Sequence, residues 1–564
     1  MASELLGLLG VAGVGGVLVA GLGWPVVARL PLAATERLVA GAAVSLLGVF
    51  LIGWLGFVWH WPLVSAWVLP VLAVAGLAWR RRELAAVVRD PEARELLIAQ
   101  ALVTAWCLGW LATVVTYSGG GWAADWYEHW ERTRHLLARG THDVVFIDHA
   151  GLTARPPLVN AAVGAVLALT RVDFAAFQLA STLFGSLAFA PAALLARRWG
   201  GALAVPALAV LFCLNPLFVQ NATFAWTKLP AAFFVLTAGY FFLRALEAED
   251  PRIPAGLFSA SLAAAILAHY SAGPYAVVLA AVWLGWTWRR QSEAAWWRAS
   301  LLALAIGLAV LALWFGWALS VYGWRGTLLA NTSVQAADAS GGQFTRIWLN
   351  LRDTIVPHFL RPMDGDLIAQ SSPWGRWRDW FFQGYQVNLV LAFGATGWLV
   401  LGRALAGAGA GQAGSGRWVW FGAGAAIVLL GVGVHGARDT WGLAHICLQP
   451  LVLAGLAALA ARVAFLSRGW RWLLAAGAVI DGVFGLVLHF GVQNLAWDRW
   501  FAPGRTYDEI FATYNRVAYM NVAAKVQHGL SFFADDLAAP LPLVLVFLAG
   551  VLTLAWSRWR RAGS

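Results

Sequence analysis

Lysine is nearly missing from this sequence. Of its 39 basic residues only Lys228 and Lys525 are lysines, and the rest are arginine. Charge of either sign is scarce at 12% of residues, where a water-soluble domain carries about a quarter. Too little charge remains to cover a soluble surface, so a soluble enzyme is excluded. Cysteine is scarce as well. Cys107, Cys213 and Cys447 each sit inside an apolar run, so neither a disulfide framework nor a zinc cluster follows.

Apolar residues fill the place of the missing charge. They make up 60% of the chain, and 35 Trp with 30 Phe exclude a disordered protein. With a mean hydropathy of +0.69, the expected fold class is an all-α polytopic membrane protein. The net charge of +11 would suggest nucleic acid in a soluble chain. In a membrane chain it reflects basic loops facing anionic lipid, so the expected surroundings are membrane lipids, with no nucleic acid. The segment Met1 to Gly23 has no basic start and no clear cleavage site, and reads as a retained helix. The preference for Arg, with abundant Ala, Gly and Trp, is what a GC-rich bacterial genome writes.

Apolar runs fall near 5–23, 38–58, 63–79, 96–116, 174–196, 201–219, 229–244, 255–268, 275–288, 300–320, 387–404, 418–434, 445–466, 472–490 and 539–557. At ~20 residues per crossing this predicts about 13–15 spans. Segment 156–170 is apolar but short and reads as re-entrant or interfacial. Arg80 to Arg82, Arg197-Arg198, Arg289-Arg290, Arg468/Arg471 and Arg558/Arg560/Arg561 then share one side, which the positive-inside rule makes cytoplasmic. Loops 117–155, 220–228, 269–274, 321–386, 435–444 and 491–538 face outward. All 11 histidines lie in or beside an outward segment, so the polar chemistry gathers on the non-cytoplasmic side. The long outer loops are expected to carry amphipathic helices lying at the interface.

The first outer loop holds the densest polar segment. From Asp125 to Leu137, helical spacing places Trp126, Trp130, Thr133 and Leu137 on one face. Asp125, Glu128, His129, Arg132 and His135 lie on the other. A carboxylate there suits proton abstraction from an acceptor hydroxyl, and an Arg or His suits a leaving phosphate. A solvated interfacial helix with internal ion pairs is the plain alternative. Arg155-Pro156-Pro157 reads either as an extended segment pinning a guanidinium at the membrane surface or as a simple helix start. Lys228 suits a phosphate, or snorkels at a helix end. His269 in His269-Tyr270-Ser271 is a structural hydrogen-bonder or a ligand contact. The stretch from His435 to His445, with Arg438 and Asp439, is dense enough to be functional. Asp481 lies mid-span, as a functional group or a helix–helix contact. Asp364 and Asp366 form a weak D-x-D signal, so no cofactor is expected with certainty, although a divalent metal is possible. The tryptophans read mainly as an interfacial belt.

Asp125-Trp126-Tyr127-Glu128-His129, Arg155-Pro156-Pro157-Leu158, Trp226-Thr227-Lys228, His269-Tyr270-Ser271 and the His445 segment together resemble the GT-C glycosyltransferases. The likeness is to the protein-mannosyltransferase and aminoarabinose-transferase-like branch, over roughly residues 96–490. Three apolar runs precede the first outer loop here, where that family usually has one, and the acids are spaced D-x-x-E. The resemblance implies a GT-C-like bundle with an N-terminal unit at 1–95, a core at 96–490 with outer loops 117–155 and 321–386, and a last unit at 491–564. It implies a polyprenyl-phosphate-linked sugar as partner, an acceptor not identified by the sequence, and an inner (plasma) membrane location with the active loops outside. The catalytic carboxylate maps to Asp125, with Glu128 next. Lys228, Arg155 and Arg438 map to the lipid phosphate, while His129, Arg132, His269, Asp439 and His445 complete the candidate binding set. A lipid or polysaccharide transporter or flippase, and a non-catalytic envelope-assembly subunit, are the rival expectations.

Overall fold

The computed structural model describes residues 2–113, 124–146, 150–290, 293–330, 342–357, 360, 388–407, 416–433, 444–463 and 465–486. Helices dominate, in the order α1 (Ala2–Gly21), α2 (Trp24–Val27), α3 (Ala34–Val58), α4 (Val68–Trp79), α5 (Arg81–Arg89), α6 (Pro91–Thr113) and α7 (Ala124–Ala138). A two-stranded antiparallel hairpin follows, β1 (Val145–Phe146) with β2 (Ala150–Gly151). Then come α8 (Leu158–Leu169), α9 (Phe174–Ser186), α10 (Phe189–Gly200), α11 (Ala204–Leu214), α12 (Pro216–Thr223), α13 (Lys228–Glu247), α14 (Arg252–Ala268), α15 (Gly273–Arg289) and α16 (Ala294–Leu328). The last described helices are α17 (Gln343–Ile355), α18 (Leu389–Ala392), α19 (Gly394–Gly407), α20 (Gly416–Gly433), α21 (Ala444–Val463) and α22 (Arg468–Leu486).

Among the described residues, length and composition suit five helices to crossing a membrane: Leu6–Val27, Ala34–Val58, Phe174–Gly200, Lys228–Glu247 and Ala294–Leu328. Counting each bent pair as one span gives up to seven, and four shorter apolar helices accompany them. The chain is an all-α, multi-pass membrane protein. Leu301, Leu304 and Leu308 on α16 stand exposed where lipid would lie, which is favourable only in a bilayer. The short helix α8 is almost wholly buried, inside the bundle and not at an interface. The run at 539–557 lies outside the described residues.

Several runs that read as single spans are broken, each by a local cause. The run 201–219 turns by 67° between α11 and α12. Pro216 opens α12, and Asn215 caps it by accepting from the Phe218 N–H at 3.0 Å. Residues 220–223 of the expected loop are thereby helical, and 224–227 make the turn into α13. The run 387–404 breaks at Gly394, whose φ of +68° an L side chain would resist. Asp481 on α22 accepts there from Ala395 N–H at 2.7 Å and Thr396 N–H at 2.9 Å, capping α19 across the interface. This mid-span acid serves a helix end, as the helix–helix alternative expected.

Many tryptophans are core residues instead of a belt. Trp24, Trp54, Trp296 and Trp314 are each fully buried. The Trp54 indole donates to Leu313 O at 2.8 Å and meets Trp314 edge-on at 5.0 Å, joining α3 to α16. Glu36 accepts from the Tyr240 hydroxyl at 2.8 Å and from Arg244 Nε at 2.6 Å, joining α3 to α13.

Replacing Asp481 by Ala leaves two helix-start N–H groups without acceptors. A loss of about 1–2 kcal/mol is expected, read as a lower melting temperature in detergent. Asp481→Asn, which keeps one acceptor oxygen, should lose less; equal melting of Asp481→Ala and wild type would dismiss the cap.

Candidate functional site

The amphipathic pattern of α7 suggests one wet face, but the helix is buried on both. Trp130 packs on Phe174 and Phe177 of α9, at 5.7 and 5.2 Å between ring centres. Glu128, His129 and Arg132 on the polar face are equally inaccessible. The solvated alternative is therefore corrected: the hairpin and the segment after it cover that face. The internal ion pair it expected does exist, but as a buried one.

Glu128 accepts from Arg132 Nε at 2.7 Å through Oε1, and Oε2 faces Arg155 Nε at 3.4 Å. Arg132 spends its other nitrogens on the carbonyls of Leu152 (2.9 Å) and Gly151 (2.8 Å), and its guanidinium lies 4.4 Å from the centre of the Phe146 ring. It thereby staples the hairpin to α7. Arg155 is extended (φ −134°, ψ 142°), as a residue before proline should be. Pro157 then caps the start of α8, so Arg155-Pro156-Pro157 is both an extended segment and a helix start, with the Arg155 guanidinium turned onto Glu128. Desolvation pushes the Glu128 carboxyl up, but Arg155, Arg132 and His129 outweigh it and hold its pKa at about 2.

His129 Nδ1 lies 3.2 Å from Asn160 Oδ1 on α8. Because a carbonyl oxygen only accepts, Nδ1 carries the hydrogen and Nε2 presents a buried lone pair with no partner. Burial, with Arg155 and Arg132 adding to it, lowers the His129 pKa to about 3. His269 closes α14 and accepts through Nδ1 from the Ser271 N–H at 3.0 Å. Burial, then the charges of Lys228 and Arg155 and the nearby His129, hold it well below the usual imidazole range. Both imidazoles are neutral. The Tyr270 hydroxyl donates to Thr153 O at 3.2 Å and accepts from the Trp314 indole at 3.1 Å. Burial raises its pKa to about 12.

Lys228 begins α13 and is buried. Its ammonium lies 3.2 Å from the centre of the Trp226 ring, a cation–π contact that keeps the charge in place. Ala225, at φ +55°, makes the turn that brings Trp226 there.

The structure thus brings together Glu128, His129, Arg132, Arg155, Lys228 and His269. The backbone of Asp125 is placed on α7 three residues before Glu128, and His445 lies on α21; both side chains fall outside the described residues. Arg438, Asp439, Asp364 and Asp366 lie outside them altogether. Among the described residues no group of three or more His, Cys, Asp or Glu is placed to hold a metal. Asn160 and the Gly151 and Leu152 carbonyls are members that the sequence did not single out, and Tyr270 and Trp226 stood there only as neighbours of His269 and Lys228. A lone Asn inside the apolar stretch 158–169 was the only signal for Asn160.

No protein-family model and no curated protein matches the chain. Two solved structures are similar to it, both of ArnT from Cupriavidus metallidurans. The apo form is 17% identical over 79% of this chain and 73% of that one, with a TM-score of 0.45. The form bound to undecaprenyl phosphate is 18% identical over 80% and 74%, with a TM-score of 0.44.

Acid should loosen this site in a defined order. An unfolded imidazole takes up a proton near 6.5, while folded His129 stays neutral down to about 3 and folded His269 also stays neutral below 6.5. The unfolded state therefore binds more protons below 6.5, and stability falls with pH by up to about 1.4 kcal/mol per unit for each histidine. Glu128 adds to the loss only between its ordinary value of 4.5 and about 2. Melting temperatures from pH 8 to pH 5 measure this. His269→Asn, which can still accept from the Ser271 N–H, should flatten the slope; a pH-independent wild type would contradict the burial of neutral imidazoles. Glu128→Ala, which strands two cations in the interior, should cost about 3–5 kcal/mol.

Proposed function

We propose that this protein is a membrane glycosyltransferase that moves a sugar from a polyprenyl-phosphate carrier to an acceptor on the outer face of the inner membrane. One observation carries the reading: residues from four separate segments converge on one site, where Glu128 holds two guanidiniums and His269 lies within reach of the charges of both Arg155 and Lys228. Cations held before the substrate arrives suit a departing phosphate, because no reorganisation is needed as charge develops. Arg155 and Lys228 take the lipid phosphate, and Arg132 positions Arg155 through the shared carboxylate.

Both Glu128 oxygens face guanidiniums, and at a pKa of about 2 the group is a poor base near neutrality. Glu128 is accordingly assigned to positioning and Asp125 to proton abstraction. The acceptor oxygen forms a bond to the anomeric carbon of the sugar. The bond from that carbon to the phosphate oxygen breaks, its electron pair leaves on the lipid phosphate, and the acceptor's proton passes to Asp125. His129 Nε2 stands ready to accept a hydrogen bond from substrate. Arg438, Asp439 and His445 complete the proposed binding set.

The rivals fare less well. A transporter needs charged, broken helices at mid-membrane; here Asn215 and Asp481 are absorbed in capping helix ends. A non-catalytic subunit expects its outer polar residues to scatter, opposite to the convergence seen.

Turnover of a radiolabelled polyprenyl-phosphate sugar by the purified protein in nanodiscs tests the proposal. Asp125→Asn should lower kcat by about 10²–10⁴, with lipid-phosphate binding kept. Lys228→Met should weaken that binding by about tenfold or more. Wild-type rates in Asp125→Asn would remove the base, and failure of the protein to bind any polyprenyl phosphate would end the reading.

A further inference from the structure

The short helix α12, which leads into Lys228, carries a polar group without charge. Gln220 on α12 is completely buried, yet neither its Nε2 nor its Oε1 has a partner. Its neighbour Asn221 is partnered at both amide atoms: Nδ2 donates to Leu217 O at 2.8 Å, and Oδ1 accepts from Gln449 Nε2 at 2.6 Å. That bond fixes Gln449 on α21 and leaves its buried Oε1 without a donor. Thr227, the residue before Lys228, also has a buried, unpartnered hydroxyl. Gln178 Oε1 on α9, a helix packed on α12, is in the same state. Buried polar atoms are nearly always satisfied, and an unmade bond at an amide is destabilising. Several gathered around one short helix point to something that completes them.

The atoms left open are both donors and acceptors: a carboxamide NH₂, amide oxygens and a hydroxyl. Sugar hydroxyls, which donate and accept together, match such a mixed set. Thr227, one of the set, directly precedes Lys228, the cation assigned to the lipid phosphate, next to which the sugar of a polyprenyl-phosphate donor must sit. Resting on that reading of the site, we propose that Gln220, Gln449 and Thr227 form the subsite for the transferred sugar, and that this sugar is uncharged. These side chains offer a sugar carboxylate or ammonium no charge of their own, and Lys228 is already engaged by the lipid phosphate, so a charged sugar would be desolvated without compensation.

Binding to the full-length protein in nanodiscs tests this with three probes: a long-chain polyprenyl phosphate, the same lipid carrying glucose, and the same lipid carrying glucuronate. The glucose lipid should bind about tenfold tighter than the bare lipid, and Gln220→Leu should remove about that whole gain while leaving bare-lipid affinity unchanged. The glucuronate lipid should show no gain. Gln220→Met serves as a second near-isosteric variant should the first fail to fold. A gain that survives in Gln220→Leu, with an unchanged or higher melting temperature, would show that the amide met trapped water only and overturn the subsite. Glucuronate binding as tight as glucose would overturn the uncharged sugar. A wild type that binds the bare lipid with no gain from glucose overturns this inference alone; one that binds none of the lipids overturns the transferase reading with it.

Discussion

A carboxylate with no access to solvent, inside an apolar bundle, survives only if cations answer it. Glu128 is such a group, and much of the site descends from that requirement. Arg132 answers one oxygen from a turn away on the same helix, and Arg155 faces the other from across the hairpin. Arg132, now buried too, must satisfy its remaining nitrogens, and it does so on the carbonyls of Gly151 and Leu152. The hairpin therefore cannot lift from α7 without stranding a guanidinium. Arg155 in turn leads through two prolines into α8, so the start of that helix is placed by the same carboxylate.

The charge states of the surrounding groups follow from this frame. His129 and His269 sit close enough to the fixed cations, and deep enough, to stay neutral. A neutral imidazole offers one donor and one acceptor without adding to the positive field. Cations then bind phosphate while imidazoles shape hydrogen bonding around it, a division of labour set by burial as much as by residue type. In a low-dielectric setting these fixed charges act more strongly than they would in water.

The sequence made the helical class legible because apolar runs of span length leave little else to build. The runs hid their own breaks, although two had local signals: Asn215-Pro216 combines a capping side chain with a residue lacking an N–H, and Gly394 permits a left-handed turn. The candidate residues on α7 were legible as an amphipathic cluster, but their burial was not. Amphipathicity says that one face differs from the other, and only the fold of the hairpin decides whether the polar face meets water. Pairings such as His129 with Asn160, or Tyr270 with Thr153, join residues far apart in the chain and leave no periodic trace. The tryptophans show the same limit: composition cannot separate Trp54, buried between α3 and α16, from Trp79, which stands exposed at the end of α4.

Polar residues within apolar segments divide by whether their partners can be accounted for. Asp481, Asn215 and Asp173 each accept from N–H groups at a helix start, and Glu36 closes a contact between α3 and α13. Their polar groups are answered by the helices they join, so their presence in the membrane needs no ligand. Gln220, Gln449 and His129 differ because atoms of theirs stay buried and unanswered. An ionisable residue in a span is thus a weaker pointer to function than an uncharged one whose bonds are incomplete: the first has had to find its partner to fold at all, whereas the second leaves room for a partner that arrives afterwards.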